Sequence, residues 1–271
     1  MLAGATLTKI EVDGVAMAAE RIGHGVPVVC LNAVGHDARD FDPLVQRCPE
    51  GFEFIRIEWP NHGRSGPDHQ DADPDRYARL VESVLAALGV ERPILIGNSI
   101  GGAVAIRHAA AHPVRGLVLC DSGGLVEVNA AARRFCGLVE RFFAAGERGV
   151  AWFPAAYALY YRLVLPTPAA AAHRREIVSN GPRLAPQLRQ AWASFARPGA
   201  DVRDLAAGLD APIWVAWARS DRVIPLSYCR PAIERLRQAR LTVFPGGHSP
   251  FLEQPDAFAQ RFRDFAGALP G

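Results

Sequence analysis

Short apolar runs alternate along this chain with longer stretches whose apolar positions recur every three or four residues. Residues 27–31, 93–97, 114–120 and 212–218 are nearly continuous apolar runs bounded by Gly and Pro. Such runs predict strands buried on both faces of a parallel sheet. Residues 6–13 and 15–22, joined at Asp13-Gly14, predict a hairpin that gives the sheet an antiparallel edge. Residues 52–59 alternate, with Phe52, Phe54, Arg56 and Glu58 against Ile55, Ile57 and Trp59. Asp73-Pro74 opens a predicted helix in which Leu80, Val81, Val84, Leu85 and Leu88 share one face, and Gly89 ends it. A small-residue helix is predicted over 100–112, a helix over 225–238, a strand over 240–244 and a last helix over 255–268. Strand and helix therefore alternate, the pattern of an α/β fold with helices on both faces.

The rhythm breaks at Ser122-Gly123-Gly124. Residues 126–203 show helical patterning, no good strand, and punctuation by Pro154, Pro166, Pro168, Pro182, Pro186 and Pro198. The expected organisation is a core domain of residues 1–125 and 204–271, with 126–203 inserted as a helical cap over the sheet's carboxyl edge.

Composition narrows the function. Thirty basic residues against 28 acidic ones leave a formal net charge of +2, which gives no reason to expect nucleic acid or an anionic membrane as a partner. No apolar run approaches the roughly 20 residues of a membrane helix, and no signal peptide is legible. Five cysteines without CxxC spacing point to a reducing compartment, so the cytoplasm is expected. No Cys/His cluster has metal-ligand spacing, and no metal or cofactor is expected. The expected partner is a small-molecule substrate, and the protein is expected to be a monomer or homodimer.

The candidate chemistry starts at Gly97-Asn98-Ser99-Ile100-Gly101-Gly102, between an apolar run and the small-residue helix. Gly-x-Ser-x-Gly at a strand-to-helix turn is a nucleophile elbow: glycine on both sides lets strand and helix close around a serine whose hydroxyl is exposed. A serine needs a base, and the base an orienting acid. His248, in the loop after the last strand, is the expected base. Asp221, after the 212–218 run, is the preferred acid; Asp121, after the 114–120 run, is its rival or else a turn former. The oxyanion donors are expected to be the N–H groups of Ile100 and Val34.

These residues together resemble the α/β-hydrolase family, over essentially the whole chain outside the cap. Besides the elbow, Pro60-Asn61-His62-Gly63-Arg64-Ser65 resembles the family's Gly-His-Gly-x-Ser turn, which implies a structural role for His62. Ser220-Asp221-Arg222-Val223-Ile224-Pro225 is similar to its acid loop, and Gly247-His248-Ser249-Pro250 to its histidine loop. Where many members have His-Gly in the oxyanion loop, this chain has Asn32-Ala33; Asn32-Ala33-Val34-Gly35-His36-Asp37 resembles enol-lactonase-like members. Asn98-Ser99 is similar to the carbon–carbon bond hydrolases of ring-cleavage products, although Ser249 stands where those carry Trp. A serine at the elbow disfavours the haloalkane dehalogenases and epoxide hydrolases, which use Asp there.

Three functions are compatible with this pattern. The first is a serine hydrolase of a small carboxylic ester or lactone, working through an acyl-enzyme on Ser99. The second is C–C hydrolysis of a vinylogous diketone acid, which calls for a cap arginine such as Arg175 or Arg189 to hold the carboxylate. The third is a non-catalytic small-ligand receptor on the same fold. Trp152, Phe153, Tyr157, Tyr160, Tyr161, Trp192 and Phe195 are the aromatics from which an apolar pocket is expected to be lined, and Asn98 is expected to touch substrate or to fill the turn.

Overall fold

A computed structural model describes residues 4–48 and 50–270. Eight strands form one sheet: β1 (Thr6–Val12), β2 (Val15–Gly23), β3 (Val26–Leu31), β4 (Phe52–Ile57), β5 (Ile94–Asn98), β6 (Gly116–Cys120), β7 (Ile213–Ala218) and β8 (Ala239–Phe244). Their spatial order is β1-β2-β4-β3-β5-β6-β7-β8. β2 runs antiparallel to both β1 and β4, and every other neighbouring pair is parallel. The expected hairpin is therefore present, turning at Asp13 and Gly14, both at positive φ. β3, β5, β6 and β7 occupy the middle of the sheet, which is why their sequences are apolar on both faces: each face is covered.

β4 contains a charged layer that its alternation only hinted at. Arg56 and Glu58 are buried. Glu20 lies opposite Arg56 in the β2–β4 ladder. Arg56 pairs with Glu20 and Asp42, and Arg64 bridges Glu20 and Glu58. Arg56, Glu20 and Glu58 are buried, and their charges are satisfied by one another and by the part-exposed Asp42 and Arg64.

The helices are α1 (Asp42–Arg47), α2 (Pro74–Ala87), α3 (Ile100–Ala111), α4 (Ala130–Glu147), α5 (Phe153–Val164), α6 (Ala171–Phe195), α7 (Arg203–Ala207), α8 (Leu226–Ile233), α9 (Pro250–Glu253) and α10 (Pro255–Gly267). Asp73 caps α2 by accepting from the Arg76 N–H at 2.7 Å. α4, α5 and α6 fall between β6 and β7, the stretch read as strandless. Pro182 and Pro186 do not punctuate it: both lie inside α6. An interior proline removes its own helical donor and crowds the carbonyl four residues back, and α6 offsets this cost by burying Leu184, Ala185, Leu188, Ala191 and Trp192, with α4 and α5 as its neighbours. α8 is shorter than the expected 225–238. The chain leaves it early so that Gln238 can receive the Ile213 N–H and start β8 beside β7.

Candidate active site

The elbow is assembled by close backbone contact. Ser99 has φ 55° and ψ −118°, left-handed backbone that a side-chain-bearing residue adopts only under constraint. The constraint is visible: the Ser99 N–H donates to the Cys120 carbonyl at 3.2 Å, and the Ser99 carbonyl accepts from Gly123 at 2.8 Å. A Cβ on Gly97 would overlap the Gly101 carbonyl, and one on Gly101 would overlap the Leu31 carbonyl. Only glycine lets β3, β5 and α3 meet here. The conformation projects the Ser99 side chain out of the turn at the amino end of α3, beside the Ile100 N–H, while the Gly102 N–H turns back to the Ser99 carbonyl at 3.0 Å.

Asp221 follows β7, and His248 follows β8. His248 Nδ1 lies 2.9 Å from Asp221 Oδ2, with both side chains buried. Asp221 Oδ1 accepts from the Val223 and Ile224 N–H groups at 2.7 and 2.9 Å. Three donors therefore hold this carboxylate, which suits it to anchor an imidazole. His248 is itself held from behind. Glu253 Oε2 accepts from the Gly247 and His248 N–H groups at 2.6 and 3.0 Å. The Asn98 amide donates to the His248 carbonyl at 2.9 Å and to the Cys120 carbonyl at 3.0 Å, and Asn98 Oδ1 accepts from the Ser249 hydroxyl at 3.1 Å.

The loop after β3 faces the elbow. His62 Nδ1 donates to the Pro60 carbonyl at 2.8 Å, so its Nε2 is free to accept from the Gly35 N–H at 2.9 Å. Burial lowers the His62 pKa to about 4, which keeps the ring neutral and able to accept. Among the described residues, neither the Val34 nor the Ile100 N–H has an acceptor within the protein. His36 is fixed between Asp40, at 2.5 Å, and the Tyr161 hydroxyl, at 3.0 Å, which ties this loop to α5.

Ser99 and His248 open on a single cavity of about 30 Å³. Ala33 and Val34 form one side, and Phe143, Tyr160, Val164, Leu188, Trp192 and Phe195 of α4–α6 form the other. Burial keeps the Tyr160 and Tyr161 phenols well above their usual range, so they are neutral.

The structure thus brings Ser99, Asp221, His248, Val34 and Ile100 to one place, with Trp192 and Phe195 on the cavity wall. It places four other expected residues elsewhere. Asn98 is fully buried with its amide consumed by the histidine loop, Trp152 is half-exposed beside Phe142, Arg175 is exposed, and Arg189 pairs with Glu147. Asn98 thereby fills the turn, one of its two expected roles; for the cap residues, helical spacing cannot say which side of a helix faces a cavity, and that is where those expectations part from the structure. Tyr160 and Tyr161, two of the expected pocket aromatics, do line the cavity; sequence reasoning missed Glu253, His36 and Asp40 as site-builders, and the i, i+4 spacing of His36 and Asp40 was the one signal present.

Asp121, Asp221 and His248 also bring ligand-type atoms within 4.8 Å of one another, the one such cluster among the described residues. The Nδ1 atom of His248 is committed to Asp221 by hydrogen bond, so the trio reads as a proton-sharing group.

The sequence profile described as "Alpha/beta hydrolase family" matches residues 28–261. A pimeloyl-acyl-carrier-protein methyl ester esterase of Xanthomonas campestris is 29% identical over 92% of this chain and 98% of its own. One from Neisseria meningitidis is 28% identical over 88% of this chain and 92% of its own. The fold is shared with an esterase from Exiguobacterium antarcticum at TM-score 0.83, with 20% identity over 97% of this chain and 99% of that one. A profile match running from β3 into α10 takes in the elbow, the acid loop and the histidine loop together: the chain belongs to the alpha/beta hydrolase family.

Proposed function

We propose that the protein is a serine hydrolase that cleaves small, uncharged carboxylic esters or lactones through an acyl-enzyme on Ser99. The observation that carries this reading is the 2.9 Å His248–Asp221 hydrogen bond beside a strained serine on the wall of the same cavity. In the proposed mechanism His248 Nε2 takes the Ser99 proton as Oγ adds to the substrate carbonyl. Asp221 holds the ring with Nδ1 protonated and stabilises the imidazolium. The unpaired N–H groups of Val34 and Ile100 receive the oxyanion. His248 then protonates the leaving oxygen, and water attacks the acyl-enzyme by the same steps in reverse.

The cavity wall favours an ester over a vinylogous diketone acid. None of its lining residues is an arginine or lysine, and Arg175 and Arg189 point to other surroundings. The name borne by the curated relatives, methyl ester esterase, agrees with ester chemistry. Residues 126–203 would act as the cap that selects the substrate, over a core of 1–125 and 204–271. With about 30 Å³ free, admission of an ester requires the α5 and α6 side chains to give way. All five cysteines are free and buried, which fits the reducing environment of the cytoplasm.

Intact mass after treatment with a fluorophosphonate tests the assignment. Wild type should gain one adduct and Ser99→Ala none. Folded wild type that gains no adduct would favour the receptor function.

A further inference from the structure

Behind Asp221 stands a second carboxyl group that this mechanism does not use. Asp121 directly follows β6, at φ 42°, and is fully buried. Its Oδ1 accepts from the Ala218 N–H at 2.9 Å. Its Oδ2 is buried without a partner. A polar atom of Asp121, one of Asp221 and one of His248 all lie within 4.8 Å of one another. Two carboxylates at that spacing in a dry site cannot both ionise.

Which of them keeps the proton follows from the donors around each. Asp221 receives Val223 N–H, Ile224 N–H and His248 Nδ1. Asp121 receives one backbone N–H. Each donor favours the ionised form, so the charge belongs on Asp221 and the proton on Asp121. Among the described residues no arginine or lysine pairs with either carboxyl. The titratable groups that face Asp121 are Asp221, His248, Glu253 of α9, Cys229 of α8 and the adjoining Cys120. None of them supplies a fixed positive charge. A proton on Asp121 Oδ2 also gives that orphan atom a partner, the neighbouring carboxylate.

We propose that Asp121 is a neutral carboxylic acid whose O–H donates to the Asp221 carboxylate, and that it thereby sets how firmly Asp221 holds the His248 imidazolium. The inference rests on the hydrolase reading above. It makes Asp121 a positioning residue, acting through Asp221 and not on the substrate. Burial, and then the charge of Asp221, push the Asp121 carboxyl well above the usual carboxylate range, in agreement with this geometry. A donor on Asp221 disperses the negative charge that the imidazolium faces, so it keeps His248 easier to deprotonate.

Two measurements test it. In the infrared spectrum at neutral pH, wild type should show the carbonyl stretch of a protonated carboxylic acid, and Asp121→Asn should lose it. A wild type without that band overturns the proposal. In the pH profile of kcat/KM, Asp121→Asn preserves the neutral donor and should leave the acid limb in place. Asp121→Ala removes it and should move the limb up by about 0.5 to 1 pH unit, roughly half of what one hydrogen bond to a charged group is worth, because the donor acts on His248 only through Asp221. Both limbs moving down would mean that Asp121 carries charge, and neither moving would mean that it only packs; either result overturns the proposal. Should Asp121→Ala fail to fold, the infrared band and the Asn profile decide between the same outcomes. Fluorophosphonate labelling separates the two readings: a band that persists without labelling of Ser99 sinks the hydrolase assignment and leaves the shared proton standing.

Discussion

Ser99 reaches the cavity at a cost in backbone strain. At φ 55° and ψ −118° a Cβ is a liability. Ser99→Gly should therefore exceed Ser99→Ala in stability by about 1 kcal/mol, reversing the ordinary order of these residues, while both lose turnover. Chemical denaturation of the pair checks this, and an alanine variant at least as stable would contradict it. Asp221→Asn should lower kcat by about 10⁴-fold, because the amide no longer selects the Nδ1-protonated imidazole; single-turnover kinetics would show it. Asp121 predicts a stability slope of its own. Its folded-state pKa is raised, so the native state holds a proton that the unfolded chain releases above about pH 4. Stability is thus lost as pH rises through that window. Asp121→Asn should gain on wild type from pH 4 to pH 8, as read from melting temperatures; a constant difference would contradict the slope.

At the scale of elements, the cavity wall is built by helices that the sequence identified but could not orient. α6 turns Leu188, Trp192 and Phe195 toward the elbow and leaves Arg175 in water. Trp192→Leu should enlarge the space beside Ser99 and shift the preference among p-nitrophenyl esters toward longer acyl chains by about tenfold in relative kcat/KM. An unchanged chain-length profile would show that α6 does not select substrate. Apolar periodicity reports that a helix has a buried side; it does not report whether that side meets the core or a ligand. Pro182 and Pro186 illustrate the same gap, since local propensity marks them as breaks while burial of the α6 face keeps the helix whole.

For the whole molecule, His62 couples the oxyanion loop to the acid stability of the fold. Its folded pKa of about 4 lies below the unfolded value near 6.5. Between these values the unfolded chain binds the extra proton, so stability is full above about pH 6.5 and falls as pH drops toward 4, by on the order of 3 kcal/mol. Denaturation of wild type and His62→Gln at pH 7 and pH 4.5 isolates this share: the variant should lose less on acidification, and equal losses would contradict it.

The sequence by itself determined the alternation of β and α, the hairpin at Asp13-Gly14, the elbow at Ser99 and the loops that carry Asp221 and His248. Those features are local: apolar runs, turn residues and glycines act within a few positions of one another. Only the tertiary structure decided that Arg56 and Glu20 are buried together, that Asn98 and Glu253 hold the histidine loop, and that Asp121 stands against Asp221. Each of these joins residues brought together by strand order or loop packing, and neither is written in the spacing of the chain.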